Sequence, residues 1–299
     1  MRRLPLERRA LIAHLLVEGS SMRSIARVTG ADINTVMWLL RDLGKACEDY
    51  QDRTLVELKC QRLEVDEVWS YIHTKEERLL PAQKGKLDFG DTYTWIAIDP
   101  DSKLVPCWHT GKRTFADASN FMNNLAPRLA GRIQITTDGF MAYKPAIEEA
   151  FGTDVDYAQL HKVFEKGLEG MTASEWLNKQ RYVQPTLEAT DKVVIFGEPE
   201  MERVGTSIIE RHNLTVRMSL RRLSRATNAF SKTYENHCAS MALMNMYYNF
   251  ARVHKTIRCT PAMEAGVADH IWSMKEIAEL EPAPVAIRPK TYQKRSRAA

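Results

Sequence analysis

The sequence has no long apolar run. No stretch of 18 or more consecutive apolar residues occurs in its 299 residues, whereas a membrane-spanning helix needs about 20. The N-terminal segment MRRLPLERRALIAHLL contains a Glu and further Arg residues where a signal peptide needs an unbroken apolar stretch. We therefore expect neither a membrane-spanning nor a secreted protein, and we expect a cytoplasmic one.

Paired cysteines are also missing. The five cysteines, Cys47, Cys60, Cys107, Cys238 and Cys259, are far apart, odd in number and free of any C-x-x-C pair. This pattern argues against a disulfide framework and against a cysteine zinc site. A reducing compartment fits, and no zinc is expected.

The charge is only mildly basic, but it is unevenly distributed. The net charge is +4, and a 44 % hydrophobic content supports a real core with room for more than one domain. Basic residues concentrate in the first 41 residues, in residues 210–232 and in the tail IRPKTYQKRSRAA, which has five cations and no anion. One such run alone is commonly a solvated surface, whereas three runs together favour a polyanionic partner such as DNA.

The first fifty residues predict three short helices separated by glycine and serine, with Ser21 and Asp32 as N-caps. A small residue, a turn glycine and two apolar residues fall at helix-turn-helix offsets: Ala26, Gly30, Val36 and Leu39. The second helix of that motif lies in the major groove. The simpler alternative is a three-helix packing module that makes no DNA contacts.

In the helix-turn-helix interpretation, one face of the second helix points outward to DNA. Residues near its start can reach base edges, and cations around the motif can meet phosphates. The expected base-facing and outward residues are Asn34, Thr35 and Trp38, and the expected phosphate contacts are Arg23, Arg27 and Arg41.

After residue 50 the pattern changes to alternation. In RLEVDEVWSYI, apolar Leu63 and Val65 alternate with acidic residues, which predicts a strand. TYTWIAIDPDSKLVPCWHTG predicts two further strands around a turn, so an antiparallel meander is expected. A helical pattern over residues 115–129 then precedes a strand in RIQITTDGF.

Three strands, a helix and a fourth strand that returns beside the first give the order of an RNase H-like fold. We therefore expect an α+β protein, with an RNase H-like mixed sheet flanked by helices and preceded by an all-α helix-turn-helix domain. The expected bounds are 1–52 for the helix-turn-helix domain, 53–61 for a linker, 62–256 for the RNase H-like domain, 257–284 for C-terminal helices and 285–299 for the basic tail.

Two carboxylates are expected to meet in this sheet. If the first and fourth strands are neighbours, Asp66 and Asp138 project from one region, and Gly139 lets the backbone turn away so that a substrate can approach. Two close carboxylates repel each other unless a cation lies between them. Such oxygen ligands suit Mg²⁺, for which Mn²⁺ can substitute, and a pair of these ions supports in-line phosphoryl displacement.

A third carboxylate is expected from Glu210. Apolar residues in SIIERHNLTVRMSLRRLSR have helical spacing, which leaves Glu210, Arg217 and Arg221 together on an adjoining face. A carboxylate followed by cations suits a metal-and-phosphate site, while a solvated first-turn Glu is the alternative. Weaker rivals for this third position are Glu64, Glu67 and Asp99.

Four segments together carry a family resemblance. LEVDEVWSYI, ITTDGFMAY, IIERHNLTVRMSLRRLSRATNAFSK and YYNFARVHKTIRCTPAMEAG resemble the DDE transposases of the bacterial insertion-sequence-one family, from about Arg62 to Trp272. The resemblance implies an RNase H-like core, a divalent metal, cleavage at transposon ends and strand transfer into target DNA. It places the three acidic positions on Asp66, Asp138 and Glu210.

The resemblance also implies partners and a location. Double-stranded DNA is expected, as terminal inverted repeats and as target, together with a homodimer or larger homo-oligomer that joins two element ends, in the nucleoid of a bacterium. Many members carry an N-terminal zinc module with paired cysteines, whereas this chain begins at the helix-turn-helix. Two alternatives are a catalytically inactive or domesticated DNA-binding regulator and a nuclease without strand transfer.

Further DNA contacts are expected in the second basic run and just after a late apolar helix. These residues are Arg211, Asn213, Arg217, Arg221, His254 and Lys255. Because His161, His212 and His254 lack helical ligand spacing, a hydrogen-bonded or phosphate-facing role is favoured over metal binding. Residues 161–205 are expected to span the strand-to-helix connection of the core, with one strand from Lys192 to Phe196 and no chemical role. Thr260-Pro261 and Ser273-x-x-Glu276 predict the starts of two late helices.

Overall fold

The structure, a computed structural model, describes residues 4–164, 187–224 and 228–281. The basic tail 285–299 lies outside the described residues.

The chain begins with α1 (Leu6–Val17), α2 (Met22–Thr29) and α3 (Ile33–Thr54). The two N-caps are as predicted, since Ser21 Oγ accepts a hydrogen bond from Ser24 N at 3.2 Å and Asp32 Oδ1 accepts one from Asn34 N at 2.8 Å. Gly30 has φ = 61° between α2 and α3, a value that favours glycine in this turn.

The mixed sheet is the centre of the fold. Its strands are β1 (Arg62–Ile72), β2 (Gly90–Ile98), β3 (Cys107–Gly111), β4 (Ile133–Thr137), β5 (Val155–Phe164) and β6 (Leu187–Phe196). The strand order is β3-β2-β1-β4-β5-β6. The β1–β4 and β4–β5 pairs are parallel, and the other pairs are antiparallel. The predicted meander and the return of the fourth strand to the first are therefore confirmed.

Two strands differ from the prediction. The sequence interpretation gave no strand for residues 155–164, which form β5, and it began the last strand at Lys192 instead of Leu187. Charged and polar residues such as Asp156, Gln159 and Lys162 interrupt the apolar pattern of β5. Hydrogen bonds to both β4 and β6 hold this strand in the sheet despite its weak pattern.

The remaining helices cover the sheet on both faces. They are α4 (Phe115–Leu125), α5 (Tyr143–Phe151), α6 (Ser207–Ser219), α7 (Tyr234–Met246), α8 (Pro261–Glu264) and α9 (Met274–Glu279). α5 lies on one face, where buried Tyr143 packs edge-on to Trp95 of β2. α6 lies on the other face, where its first backbone N–H groups meet Glu64 of β1. The starts predicted for the last two helices are confirmed by N-caps at Thr260 and Ser273.

The N-terminal helices share their core with helices from the C-terminal half. A Cβ atom added at Gly44 of α3 would lie 2.6 Å from backbone atoms of Ala239 in α7, so the glycine permits this close crossing. Gln51 of α3 donates to the carbonyl of Ala242 at 3.2 Å. One cluster of buried apolar side chains connects α1, α3, the sheet and α7. Within the described part of the chain, no helix is both long and apolar enough to cross a membrane.

Candidate active site

The register of the parallel β1–β4 pair brings the first two carboxylates together. Leu63 pairs with Ile135, and Glu64 pairs with Thr136. Two residues further along, where β4 has just ended, Asp66 and Asp138 come level on the same face, because side chains alternate along a strand. Their carboxylate oxygens lie within 4.8 Å of each other. The predicted meeting of these two residues is present in the structure.

Asp66 is the more buried of the two. Its Oδ1 accepts a hydrogen bond from Glu67 N at 2.8 Å, and its Oδ2 accepts one from Asn213 Nδ2 of α6 at 2.8 Å. Burial, followed by repulsion from Glu67, raises the pKa of Asp66 to about 7, and Asp138 and Glu210 add to the repulsion. A carboxylate in this position is destabilised until a cation approaches it.

Asp138 is open to solvent, with 45 % of its side chain exposed. Its Oδ1 accepts a hydrogen bond from Phe140 N at 2.9 Å, and its Oδ2 lies 3.8 Å from the guanidinium of Arg113. Gly139 does not have the positive φ that favours glycine. Its Cβ would instead lie 2.9 Å from the His161 ring, so glycine here makes room for His161 of β5.

Glu67 completes the closest acidic group but uses both of its oxygens elsewhere. Its carboxylate lies within 4.8 Å of Asp66 and Asp138. Glu67 Oε1 accepts from Arg113 Nε at 2.7 Å, Oε2 accepts from Tyr143 OH at 2.7 Å, and 3 % of the side chain is exposed. These bonds hold Glu67 on the α5 side of the sheet, where it anchors Arg113 beside Asp138.

Glu210 faces the same cleft from the first turn of α6. The cleft has a volume of about 420 Å³ and is lined by Val65, Asp66, Asp138, Gly139, Leu160, His161, Lys162, Thr206 and Glu210; we call it the carboxylate cleft. Glu210 Oε1 pairs with Lys162 Nζ and accepts a hydrogen bond from Thr206 Oγ1 at 2.6 Å. Glu210 is 46 % exposed and lies outside the tight acidic group.

Lys162 received no role from the sequence, because β5 was not predicted and its region was treated as a connection. The side chain projects from β5 into the carboxylate cleft. The alternation of apolar Val155, polar Asp156 and apolar Tyr157 at the start of β5 is the signal that could have indicated a strand.

Glu64 has a structural role on the same face. Its Oε2 accepts hydrogen bonds from the backbone N–H groups of Ile208 and Ile209, at 2.8 and 2.9 Å. The α6 N-cap residue, Thr206, makes no capping bond with its own side chain. Glu64 therefore caps α6 from β1, and this contact fixes the helix that carries Glu210 and Asn213 over Asp66.

The carboxylate cleft suits a hard divalent cation. Its donors are carboxylate oxygens, the ligands that Mg²⁺ and Mn²⁺ prefer. The raised pKa of Asp66 shows a local excess of negative charge that a dication would neutralise. Asp66 and Asp138 are the residues that would hold such an ion, with Glu210 across the cleft.

The residues expected to contact DNA in the N-terminal helices are mostly accessible. Arg23, Arg27, Asn34 and Trp38 are exposed, and Thr35 is half-buried. Arg41 is a correction: its Nε donates to Asn236 Oδ1 at 2.8 Å and lies 3.2 Å from a Glu235 oxygen. It therefore binds α7 instead of pointing outward, because α3 packs along that helix.

Two further expected DNA contacts are corrected by the structure. Asn213 is buried and binds Asp66, so it positions a carboxylate and does not face DNA. His254 packs edge-on against Tyr248 with ring centroids 4.7 Å apart. Burial lowers the pKa of His254 to about 4, so the ring is neutral at pH 7 and offers no cation to a phosphate.

The other DNA contacts expected in the second basic run and after the late apolar helix are accessible at least in part. Arg211, Arg221 and Lys255 are exposed, and Arg217 is half-buried. His212 is fully buried on the other side of Tyr248, with ring centroids 4.4 Å apart, and burial lowers its pKa to about 3. It is therefore a neutral core residue at pH 7.

Comparisons with known proteins give structural similarity only. No family model and no curated protein match the sequence. A Mos1 transposase paired-end complex with the left transposon end matches with 14 % identity and a TM-score of 0.23, over 52 % of this chain and 60 % of that chain. A piggyBac transposase synaptic complex with hairpin DNA matches with 10 % identity and a TM-score of 0.40, over 93 % and 70 %.

A Mos1 strand transfer complex matches with 10 % identity and a TM-score of 0.23, over 83 % of this chain and 78 % of that chain. The chain thus spans less than two thirds of the first Mos1 chain that it matches. Similarity at this level does not by itself establish a function. The functional proposal therefore rests on the geometry of the carboxylates.

Proposed function

We propose that the protein is a DNA transposase of the insertion-sequence-one type. In this proposal α2 and α3 form a helix-turn-helix that binds terminal inverted repeats. The sheet, with β1 between β2 and β4, is the RNase H-like core that carries out metal-dependent cleavage and strand transfer. The assembly is a homodimer or larger, because two element ends must be brought to one target.

The observation that supports the proposal most is the adjacency of Asp66 and Asp138. These residues are 72 positions apart in sequence, yet the β1–β4 register places them side by side. The protein keeps them together although burial and repulsion raise the pKa of Asp66 to about 7. Such an arrangement is unfavourable for stability alone, which favours a functional role that a cation completes.

Bound Mg²⁺ would supply activation of the attacking oxygen and stabilisation of the leaving oxygen in an in-line phosphoryl displacement. The protein's own residues prepare that chemistry. Asn213 holds one oxygen of Asp66, and the backbone N–H of Phe140 holds one oxygen of Asp138. The other oxygen of Asp66 accepts from Glu67 N, the other oxygen of Asp138 lies beside Arg113, and both residues line the cleft. Both displacements, by water and then by a 3′-hydroxyl, would use this one site.

Glu210 must change partners to act as the third ligand. Its Oε1 is engaged by Lys162 and Thr206. Lys162 Nζ is a cation that neutralises Glu210 and can turn to a DNA phosphate when a metal takes the carboxylate. Because both side chains are partly exposed, this ion pair is weak enough to exchange.

The test is incubation of labelled DNA carrying the element ends with the protein, in Mg²⁺, Mn²⁺ or EDTA. We expect cleavage and transfer products in Mg²⁺ and none in EDTA. Glu210→Gln should abolish both products, whereas Glu148→Gln, an exposed carboxylate on α5, should leave them unchanged.

The products also separate the alternatives. Nicks without joined products would indicate a nuclease that lacks strand transfer. DNA binding without any product in either metal would indicate an inactive regulator. A well-folded Glu210→Gln variant that cleaves like the wild type would show that Glu210 is a solvated surface residue.

A further inference from the structure

A second cleft lies at the far end of β1, between the start of α2 and the segment after α6. It has a volume of about 1090 Å³ and is lined by residues that include Arg23, Tyr71, Arg221, Arg222, Phe230 and Lys232. We call it the cationic cleft. Its size is at the upper end of the range for small-molecule pockets, about 300–1,000 Å³, which leaves room for a polymer segment.

The cationic cleft contains cations and no carboxylate among its described lining residues. Arg222 is the most buried of these cations. Its Nη1 donates to the carbonyl of Asn236 at 2.9 Å and to Ser231 Oγ at 3.3 Å, both neutral acceptors. Neither of these two acceptors cancels the charge of the guanidinium, which can therefore attract an anion. Together these cations suit a chain of phosphates.

Two aromatic rings lie among the cations. The Tyr71 and Phe230 rings have centroids 5.0 Å apart with an interplanar angle of 30°. Both residues line the cleft and are half-buried. Lys232 Nζ lies 2.9 Å from the centroid of the Phe230 ring. Cations interleaved with accessible rings are what single-stranded nucleic acid binds, because phosphates meet the cations and bases stack on the rings.

We propose that the cationic cleft binds one unpaired DNA strand, with its phosphates on Arg221 and Lys232 and a base stacked on the Tyr71–Phe230 pair. The choice of nucleic acid rests on the proposed function, but the preference for an unpaired strand does not follow from it. A duplex would bind through its phosphates alone, since paired bases are not available to stack.

The cationic cleft and the carboxylate cleft are both lined by residues of β1. Tyr71 lies five residues after Asp66 on β1, a distance of about 17 Å at about 3.3 Å per residue. β4 ends at Thr137, so β1 beyond Asp66 is not covered by β4 on that edge. Because side chains alternate along a strand, Tyr71 and Asp66 project from opposite faces of β1.

The test measures binding in EDTA, where no cleavage occurs. A blunt duplex is compared with the same duplex carrying a five-nucleotide 3′ overhang that contains 2-aminopurine. We expect the wild type to prefer the overhang DNA and to quench the 2-aminopurine. Phe230→Leu keeps an apolar side chain against Tyr71 but removes the ring, and it should reduce the preference about tenfold and relieve the quenching.

Matched variants separate stacking from charge and from misfolding. Lys232→Ala should weaken both DNAs alike and lower the salt slope by about 0.7–0.9. Phe115→Leu, a 49 % exposed aromatic on α4, should change neither. An unchanged preference in Phe230→Leu, or no preference in the wild type, would overturn the proposal. Loss of cleavage with the preference intact would count only against the proposed function, and no DNA binding at all would count against both.

Discussion

The carboxylate cleft and the cationic cleft are opposites in charge, and both are anchored on β1. In the first, Asp66, Asp138 and Glu210 face one opening with Lys162 as their cation. In the second, Arg221, Arg222 and Lys232 line the opening, and the described lining residues include no acid. Each cleft therefore has a charge that the protein leaves largely uncompensated.

The difference between the clefts lies in how each charge is held. Asp66 and Asp138 are fixed by hydrogen bonds from Asn213 and a backbone N–H, and this order suits a small ion with strict ligand geometry. Arg221 and Lys232 are exposed, and long side chains of this kind suit a polyanion that can bind in many registers. Under the two proposals, the comparison separates a site for chemistry from a site for holding the substrate.

The largest expected effect comes from the paired carboxylates. Asp66→Asn or Asp138→Asn keeps the side-chain volume but removes a charge from the metal ligands, so cleavage should fall about a thousand-fold or more. Binding to the cationic cleft should be unchanged. Product yield and anisotropy on the same DNA check both expectations, and a fall in binding that matches the fall in cleavage would contradict the separation of the two clefts.

The next effect concerns the face of α3 that is proposed to read bases, next to the cationic cleft. Asn34→Ala with Thr35→Ala should lower discrimination between terminal-repeat and random DNA by about 1–3 kcal/mol per lost base contact. Lys232→Ala should weaken both DNAs alike. Competition binding at fixed salt measures the ratio, and an unaltered ratio in the double variant would mean that α3 does not read bases.

Asp66 should also make stability depend on pH. Because its folded pKa of about 7 lies above the unfolded value, its contribution favours folding below about pH 4 and is lost as the pH rises through about 7. In EDTA at pH 8, Asp66→Asn should therefore be more stable than the wild type by about 2 kcal/mol, allowing for its partial exposure to water. At pH 4 the two should be equal.

Thermal unfolding at the two pH values checks this expectation, and Mg²⁺ provides an internal control. A dication that binds only the folded state raises the wild-type melting temperature at pH 8, and it should do much less for Asp66→Asn. A variant that is less stable than the wild type at pH 8 would show that Asp66 has a structural role.

The smallest expected effect comes from Lys162. Lys162→Met removes the cation that competes with a metal for Glu210, so the affinity for Mg²⁺ should rise by up to about fivefold, the limit for a partly exposed ion pair. Titration with Mg²⁺ measures the affinity, and Lys144→Met, an exposed lysine on α5, is the matched control. A weaker affinity would mean that Lys162 orients Glu210 instead of competing for it.

The sequence was sufficient for features that depend on near neighbours in the chain. The caps at Ser21 and Asp32, the meander and the starts of the last helices follow from local hydrogen bonding and alternation. β5 was missed because its polar residues hide the pattern, while hydrogen bonds to two neighbouring strands hold it in place. The intrinsic strand preference of these residues does not predict their pairing with β4 and β6.

For the candidate site, too, the sequence predicted some features, while others depend on tertiary packing. Residue types and spacing singled out Asp66 and Asp138, the family resemblance placed the third acidic position on Glu210, and the structure places all three on one cleft. The contacts of Asn213, Arg41 and His254 within the protein were not predicted, because an accessible face was assumed for side chains that pack against Asp66, α7 and Tyr248. The burial of a side chain depends on which other elements pack against it, and the local sequence does not predict those elements.

The sequence by itself determined the chemistry that is available: carboxylates at the ends of predicted strands, basic runs, and a helix-turn-helix pattern. Only the tertiary structure decided which groups meet. The β1–β4 register brings Asp66 level with Asp138, and the capping of α6 by Glu64 carries Glu210 over them. Lys162 enters the cleft because β5 completes the parallel pair with β4. These contacts join residues distant in sequence, and their energies depend on burial and distance, which exist only after folding.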